Sequence, residues 1–391
     1  MTPSPLSVWT FDPEPYEFPA PRWPMLASLT VASLGQSGRD YAFVDAGKPT
    51  LQFALGRYAL TRALALCGVG PGTGAMLPAY HCESMLDPVM ALGGEAVFYP
   101  VTPALEPDAD AIESVLRSNR SIRALIAVHY FGFPFDFGEV AARLRQYGVS
   151  LIEDCCHAFV VDRRDGVIGA WGRFLVSSPY KLLPCCEGGI LAANGTAESL
   201  GDHQGRFGLR TELAACSYLL GQTLLRSRRR PPLVQYDRGK GTRVEQSWHA
   251  RSRDGLSAHY DPARSELRRS KVSEMLQRLC SPDKIARRRR RIYQLWLDAL
   301  HGVPNAKPWA PRLPPGAVPY VFPLLLERPQ RDFAAIKYCG IPVWRWDTLA
   351  VTSCATSSAY RFKLLQLPCH QSLGEKDVEE MAALLRSVLK D

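Results

Sequence analysis

An aspartate and a lysine stand just past two short apolar runs in the stretch from residue 151 to residue 191. Asp154 ends the first run and His157 follows it, whereas Lys181 comes after the second run, FLVS, in a turn before the triplet EGG. A lysine amine can form a Schiff base with an aldehyde, and a carboxylate can keep a pyridine nitrogen protonated. Pyridoxal phosphate needs both groups, so the pair predicts a site for this cofactor.

Three further residues could hold the phosphate of such a cofactor. Gly56 and Arg57 open a predicted helix that ends at Gly68, and the free N–H groups and dipole of a helix start suit an anion. The guanidinium of Arg57 adds charge-assisted hydrogen bonds. Ser178 precedes Lys181 by three residues and can donate its hydroxyl. Ordinary structural interpretations also exist, because many helices begin with glycine and many turns contain serine.

Asp154 and His157 have structural alternatives as well. An aspartate after a strand can cap a following helix, and a buried histidine can simply satisfy hydrogen bonds in a core. Burial and a neighbouring cationic ring would lower the pKa of Lys181, as a Schiff-base lysine requires. The combination predicts that Lys181, Asp154 and His157 form a catalytic set.

Short apolar runs alternate with helical patterns between residues 51 and 153. Such alternation predicts an α/β fold, a mainly parallel sheet covered by helices on both faces. In sheets of this kind ligands bind beyond the carboxyl ends of the strands. We expect Asp154, His157, His129 and the turn from Pro78 to Cys82 at that edge.

Composition divides the chain into three predicted units. Residues 1–48, rich in proline and aromatic residues, are predicted to form an arm laid over a surface. Residues 49–250 form the predicted large domain, and residues 251–391 a smaller C-terminal α+β domain with a predicted strand from Ile341 to Trp346 and a final helix from Glu375 to Leu389. Asp136 and Glu139 predict a capping box in the large domain, and Ile285 to Leu300 predicts an amphipathic helix with its arginines outward.

Composition also limits the class of protein. The 391 residues are 46% hydrophobic and 22% charged, with a formal net charge of +9, which indicates a soluble globular protein. Arginines cluster at 226–230 and 287–291, but no nucleic-acid recognition motif accompanies them, so no nucleic-acid partner is predicted. The 11 cysteines show no zinc spacing, so no metal is predicted, and so many thiols indicate the cytoplasm.

The apolar run from Leu213 to Leu225 leaves two alternatives open. It could be a buried domain helix that ends in arginines complementing its dipole. It could also be a membrane-surface helix with a basic flank. The first is favoured, and since no run reaches the roughly 18 apolar residues that span a bilayer, no stable membrane insertion is predicted.

Five segments of the chain resemble the DegT/DnrJ/EryC1/StrS aminotransferases, the sugar aminotransferases of pyridoxal-phosphate fold type I. They are GRYAL (56–60), LPAYHCESMLDPVMALGGEAVFY (77–99), HYFGFPFD (129–136), LIEDCCHAF (151–159) and SSPYKLLPCCEGG (177–189). Weaker similarity continues through residues 288–296 and 340–347 to 367–373, so most of the chain is covered.

The resemblance implies a homodimeric enzyme with its sites at the subunit interface. It implies that Lys181 forms the Schiff base, that Asp154 pairs with the pyridine nitrogen and that His157 lies near the ring oxygen. Gly56, Arg57 and Ser178 are implied as phosphate ligands.

The chain departs from the family at three places. One is the turn before Lys181, which reads SSPYK, where many relatives place the serine five residues ahead of the lysine. Where many members carry an aromatic residue that stacks on the cofactor ring, this chain has Cys82, and stacking by Tyr80 or His81 is left unassigned. The N-x-R segment with which the partner chain reaches the cofactor in the family is not recognisable between Tyr236 and Arg278.

The predicted function is a pyridoxal-phosphate-dependent aminotransferase. It would move an amino group from an amino acid, glutamate in many relatives, to a keto acceptor such as a nucleotide-linked keto sugar in sugar or natural-product biosynthesis. Two alternatives stay open: a pyridoxal-phosphate enzyme with an elimination or carbon–carbon bond reaction, and a non-catalytic binding or regulatory protein on the same scaffold.

Overall fold

The computed structural model describes residues 6–13, 18–35, 47–160, 168–195, 199–202, 205–227 and 248–390. Within them the strands are β1 Leu6–Phe11, β2 Thr50–Phe53, β3 Gly74–Pro78, β4 Glu95–Tyr99, β5 Ile122–Val128, β6 Ser150–Asp154, β7 Phe174–Ser177, β8 Gly189–Ala193, β9 Gly205–Arg206, β10 Trp248–Arg253, β11 Leu267–Arg268, β12 Ala306–Pro308, β13 Val321–Leu326, β14 Thr348–Ala350 and β15 Leu364–Pro368.

The helices within the same residues are α1 Gly56–Leu66, α2 Leu86–Ala91, α3 Ala109–Ser118, α4 Gly138–Gln146, α5 Leu209–Ser227, α6 Lys271–Leu279, α7 Pro282–Ala299, α8 Pro329–Tyr338, α9 Ala355–Lys363 and α10 Glu375–Leu389. No helix of the described residues is long and apolar enough to cross a membrane. The arginines at 228–230 and the charged stretch up to residue 247 lie outside the described residues.

The largest sheet has seven strands in the order β2-β8-β7-β6-β5-β3-β4. Strands β7, β6, β5, β3 and β4 run parallel, whereas β8 is antiparallel to both β7 and β2. All residues of β3, β7 and β8 are buried, which explains their nearly continuous apolar sequences. The mainly parallel α/β fold predicted from the sequence is confirmed.

Two antiparallel sheets and a parallel pair, β9 with β11, complete the architecture of the described residues. Strands β12, β13 and β15 form one antiparallel sheet, against which α7 packs with Trp296 beside Phe322, and α10 packs on α7. The other has β1 between β10 and β14. Part of the predicted N-terminal arm is therefore a central strand, in which Val8 is fully buried. The domain boundaries at residues 48 and 250 stay predictions.

The capping box predicted at Asp136 and Glu139 is wrong. Helix α4 begins only at Gly138, and the Asp136 carboxylate accepts a hydrogen bond from the Gly138 N–H at 2.8 Å. Glu139 lies in the first turn and pairs with Arg143 one turn on. The residue pattern was right for a helix start, but the N-cap is Phe137, one residue later than predicted.

Two expectations about exposure are also wrong. Arg289 of α7, predicted to point outward, is fully buried, whereas Arg287 and Arg288 are exposed as expected. The run from Leu213 is not a buried helix, because Leu213 and Leu220 of α5 are 60% and 65% exposed.

Candidate active site

Three neighbouring strands end at one cleft. Asp154, the last residue of β6, is paired in register with Val128 of β5 on one side and Val176 of β7 on the other. All three residues line the cleft at the carboxyl edge of the sheet. The full lining is Gly56, Arg57, Leu60, Cys82, Ser84, Met85, Val128, Asp154, Cys156, His157, Val176, Lys181 and Trp346.

The start of α1 forms one wall of this cleft. Leu55 is its N-cap, and no side chain within the described residues caps the first N–H groups. A Cβ atom on Gly56 would lie 3.1 Å from the Cys156 sulfur and 3.2 Å from the Ser178 Cβ, and one on Gly189 would overlap the Leu55 carbonyl. Glycine is therefore required at position 189, and a side chain at position 56 would crowd its neighbours. The N–H groups of the helix start are left facing a space suited to an anion.

Lys181 ends a short 3₁₀ turn, Pro179–Lys181, beyond β7. Its Nζ lies 5.8 Å from the centre of the Tyr320 ring. Burial opposes the charge on the amine, but the neighbouring Cys156 thiol and the hydroxyl groups of Tyr180 and Tyr320 favour it, and the pKa of Lys181 is raised. The amine of the protein alone is therefore an ammonium group, and the expectation that burial lowers its pKa is wrong for this state. A lowered pKa would require the cationic ring of the bound cofactor.

His157 is held between two aromatic rings. It stacks on Tyr320 at 4.7 Å between ring centres and on Phe131 at 6.0 Å, with interplanar angles of 15° and 8°. The Phe131 N–H donates to its Nδ1 at 3.2 Å, so the proton of the neutral ring is on Nε2. Burial, with the charge of Lys181 adding to it, lowers the pKa of His157 well below its ordinary value.

A strained turn fixes these rings. Phe131 has φ +57°, in the left-handed region, and Gly132 follows at φ +88°. The Phe131 carbonyl accepts from the Tyr320 N–H at 2.7 Å, and a Cβ atom on Gly132 would overlap the Val318 carbonyl. This close crossing carries strain of the kind found at functional sites.

Of the nine residues predicted for the site, six line the cleft: Lys181, Asp154, His157, Gly56, Arg57 and Cys82. Asp154 accepts a hydrogen bond from the Cys156 N–H at 2.8 Å. Arg57 donates to the His259 carbonyl at 2.7 Å and lies 3.7 Å from the Asp87 carboxylate. Its guanidinium is thus already partly engaged beside the cleft.

Three predicted residues are outside the lining. Tyr80 is buried with its ring 4.4 Å from that of Trp346. His81 accepts from the Ala350 N–H through Nε2 at 3.0 Å, and burial lowers its pKa to about 4. The side chain of Ser178 lies against Gly56 and donates weakly to the Gly188 carbonyl at 3.5 Å.

His129, also expected at this edge, belongs to a buried cluster with Glu153 and Cys155, whose donor atoms lie within 4.8 Å of one another. The His129 Nδ1 accepts from the Phe135 N–H at 3.1 Å, so its Nε2 carries the proton and donates to Glu153 at 2.9 Å. Both Glu153 oxygens also accept backbone N–H groups, from Gly169, Trp171 and Gly172. These bonds occupy the donor atoms that a metal would use, and the cluster anchors the segment between β6 and β7.

Sequence reasoning missed Trp346, Tyr320 and Cys156. Trp346 and Tyr320 come from the C-terminal third of the chain, far from the strand ends, and no local pattern marks them. Cys156 could have been found, because it lies between Asp154 and His157 in the same turn.

Three solved structures share this fold over most of both chains. An aminotransferase, TlmJ, from Streptoalloteichus hindustanus is 23% identical, with 89% of this chain and 87% of that one covered and a TM-score of 0.62. A DegT DnrJ EryC1 StrS aminotransferase from Brucella abortus is 20% identical (88% and 87% covered, TM-score 0.59). Helicobacter pylori PseC, an aminotransferase involved in the biosynthesis of pseudoaminic acid, is 14% identical (88% and 87% covered, TM-score 0.61).

These likenesses establish the fold as that of the pyridoxal-phosphate fold type I aminotransferases. This fold and the family match over residues 46–199 together indicate a pyridoxal-phosphate-dependent aminotransferase. Residues 46–199, which contain Gly56, Asp154 and Lys181, match the sequence model of the DegT/DnrJ/EryC1/StrS aminotransferase family. The resemblance seen in the sequence is confirmed. The cleft fits the cofactor: a lysine amine and a carboxylate face it, and the uncapped start of α1 offers N–H groups for a phosphate.

Proposed function

We propose that this aminotransferase carries its cofactor on Lys181 and passes an amino group from an amino acid, glutamate in the first instance, to a keto sugar linked to a nucleotide. The observation that carries the proposal is the convergence of Lys181, Asp154 and Gly56 on one cleft. Pyridoxal phosphate supplies an electron sink that stabilises negative charge on the substrate carbon next to nitrogen.

Each residue of the cleft has a distinct task in this proposal. Asp154 keeps the pyridine nitrogen protonated, which strengthens the electron sink. The amine of Lys181, once displaced by the donor, moves a proton between two carbon atoms as a general base and acid. His157, neutral and able to donate through Nε2, is suited to bind the ring oxygen. Gly56, Arg57 and Ser178 are the proposed phosphate ligands.

The acceptor class rests on relatives and on charge. One structural neighbour is described as a sugar aminotransferase, CalS13 from Micromonospora echinospora, and PseC is described as involved in the biosynthesis of pseudoaminic acid. A formal net charge of +9 favours an anionic substrate such as a nucleotide sugar. Another neighbour is 3-amino-5-hydroxybenzoic acid synthase, so non-nucleotide keto rings belong in the same screen.

The Lys181 assignment is tested by absorbance and reduction. Wild-type protein with pyridoxal phosphate should show a near-visible band, and borohydride should fix the cofactor to the peptide that contains Lys181. Lys181→Ala should lose both signals, whereas Lys307→Ala, at an exposed lysine far along the chain, should keep them. A Lys181→Ala protein that retains the band and transaminase activity would contradict the proposal that Lys181 carries the cofactor.

The reaction type is tested by adding amino donors to the loaded enzyme. Glutamate should convert the spectrum to that of pyridoxamine phosphate, and keto acceptors should reverse it. An enzyme of elimination or carbon–carbon bond chemistry should not accumulate the pyridoxamine form. Loss of the spectral band together with salt-sensitive DNA binding would instead support a non-catalytic protein.

A homodimer in the cytoplasm is the proposed state of the enzyme. All eleven cysteines are free thiols, which fits a reducing compartment.

Four apolar side chains on two neighbouring helices expose 49% to 65% of their surface: Leu213 and Leu220 of α5, and Met275 and Leu279 of α6. We propose that a second copy of the chain covers them. Light scattering should give a dimer mass for wild type and a monomer mass for the double variant Leu213→Asp/Leu220→Asp. The control Leu256→Asp, at a position 37% exposed elsewhere, should remain dimeric.

A further inference from the structure

Arg289 is a fully buried arginine in the middle of a helix whose neighbouring arginines reach solvent. Its guanidinium donates hydrogen bonds to the Gln371 side chain at 2.8 Å and to five backbone carbonyls. These carbonyls belong to Tyr320 and Cys369 at 3.0 Å, Pro319 at 3.1 Å, Leu182 at 3.2 Å and Lys181 at 3.4 Å. None of these acceptors is a carboxylate.

A buried charge without a carboxylate partner is costly. Carbonyl dipoles offset part of this cost, and burial lowers the pKa of Arg289 to about 10, so that the guanidinium still carries its proton at neutral pH. A hydrophobic side chain in the same place would avoid burying the charge but would leave these carbonyls without a donor. The arginine is therefore better explained by what its donors hold in place than by its contribution to stability.

Two of these acceptors belong to Lys181, which lines the cleft, and to Tyr320, whose ring lies beside the Lys181 amine. Arg289 binds the carbonyl of Lys181 and the carbonyl of Tyr320, and the Lys181 amine lies 5.8 Å from the Tyr320 ring. Gln371 supports the same arrangement, since its side chain accepts from Arg289 and donates to the Leu182 carbonyl at 2.8 Å. One guanidinium thus ties the lysine turn of the large sheet to the segment that leads into β13.

We propose that Arg289 is a positioning residue that fixes the Lys181 turn against Tyr320, and that its charge lowers the pH at which the Lys181–cofactor linkage loses its proton. The inference rests on the proposed role of Lys181. It assigns two separable effects to one side chain. The hydrogen-bond fork sets geometry and therefore cofactor affinity. The positive charge disfavours a second positive charge on the lysine side chain, against Cys156, Tyr180, Tyr320 and Cys82, which favour it.

The test compares Arg289→Met, Arg289→Lys and the matched control Arg288→Met. Arg288 is the exposed neighbour that donates only to the Gln371 and Leu373 carbonyls. For each purified protein we would measure pyridoxal phosphate affinity, the pH midpoint of the near-visible band and the melting temperature. Wild type is measured first, because a wild-type protein without a Lys181-linked band would contradict the proposed function and not the role of Arg289.

The two effects predict different outcomes. Arg289→Met should bind the cofactor about tenfold more weakly and raise the pH midpoint by on the order of half a unit. Arg289→Lys keeps the charge but not the fork, so it should weaken binding and leave the midpoint unchanged. Arg288→Met should match wild type in both measurements.

A folded Arg289→Met protein with wild-type cofactor affinity and midpoint would overturn the proposal, whatever its melting temperature. If Arg289→Met does not fold, Gln371→Leu is tested in its place. This variant removes one acceptor of the guanidinium and one donor to the Leu182 carbonyl. We expect about threefold weaker cofactor binding in that variant. Unchanged binding would overturn the proposal equally.

Discussion

The His157 imidazole lies almost parallel to the Tyr320 ring, with 4.7 Å between the ring centres and 15° between the planes. His157 follows the carboxyl end of β6, whereas Tyr320 immediately precedes β13 in the C-terminal part of the chain. The stack therefore joins the edge of the large sheet to an element distant in sequence. It also places the Tyr320 ring on the side of the cleft where Lys181 lies.

Loss of this stack should impair the enzyme more than loss of the Tyr320 hydroxyl. An aromatic pair contributes about 0.5–1.5 kcal/mol beyond its buried area, and without it His157 can tilt away from the cleft. We expect Tyr320→Leu to lower kcat/KM about tenfold, and Tyr320→Phe, which keeps the ring, to stay close to wild type. Steady-state kinetics of the two variants decide the point. Equal values for both would remove the stack from the mechanism.

Two adjacent carboxylates should respond oppositely to the same substitution. Asp154 faces the cleft, whereas Glu153 is buried under it and accepts three backbone N–H groups and the His129 side chain. Asp154→Asn should keep its melting temperature and lose at least about 100-fold in kcat, because a neutral amide cannot hold the ring nitrogen protonated. Glu153→Gln should lose about 2–4 kcal/mol of unfolding free energy, since its amide N–H₂ would face backbone donors.

Kinetics and chemical unfolding of both variants provide the measurement. Each variant serves as the control of the other, because the side chains are neighbours on β6 and differ in direction. An Asp154→Asn enzyme with full activity would remove Asp154 from the reaction. A Glu153→Gln protein as stable as wild type would mean that the buried hydrogen bonds do not support the site.

The pH dependence of the unfolding free energy should reveal the lowered pKa of His81 in the folded protein. Burial lowers the folded-state pKa of His81 to about 4, below the value of about 6.5 for an unfolded chain. The unfolded chain therefore binds the proton first, and stability that is present above pH ~6.5 is lost as the pH falls toward 4. The loss from His81 at pH 5.5, compared with pH 8, should be about 1.4 kcal/mol.

His81→Gln removes this titration and keeps an acceptor for the Ala350 N–H. Urea unfolding at pH 8 and pH 5.5 should show a smaller difference between the two pH values in this variant than in wild type. The exposed His301→Gln is the control and should retain the wild-type difference. If His81→Gln also retains it, His81 does not remain neutral in the folded protein.

Local sequence was sufficient to predict most elements of the large sheet. Buried parallel strands are short apolar runs, so β7 from Phe174 to Ser177 and the final helix from Glu375 to Leu389 have the predicted bounds. The strand predicted from Ile341 to Trp346 is wrong, because only a single bridge, Trp344 to Gln366, forms there. The alternation of apolar and polar residues in this segment does not reflect a strand with one exposed face. The polar residue Arg345 is itself buried, with its guanidinium 3.7 Å from the centre of the Phe333 ring.

The residues of the site also fall into two groups, those that local sequence predicts and those that it does not. Asp154 and Lys181 could be placed from sequence because each follows its own strand directly, and six of the nine predicted residues meet in the cleft. Trp346 reaches the cleft, and Arg289 and Tyr320 contact the Lys181 turn beside it, through tertiary packing that no short-range periodicity encodes. An arginine is predicted at a surface because burial of its charge is unfavourable, and only the carbonyls of distant segments make Arg289 an exception.

Trp346, from the C-terminal part of the chain, should contribute to ligand binding in the cleft. Its ring packs on Tyr80 at 4.4 Å and lies 6.0 Å from that of Tyr130, and it lines the cleft where Cys82 offers no aromatic surface. We expect Trp346→Ala to weaken cofactor or donor binding by about tenfold, since stacking area is lost, whereas Trp346→Phe should lose less than about threefold. Binding of pyridoxal phosphate should also quench tryptophan fluorescence less in Trp346→Phe than in wild type. The exposed Trp344→Phe is the matched control two residues away, and a quench reduced equally by both substitutions would place Trp346 outside the cofactor site.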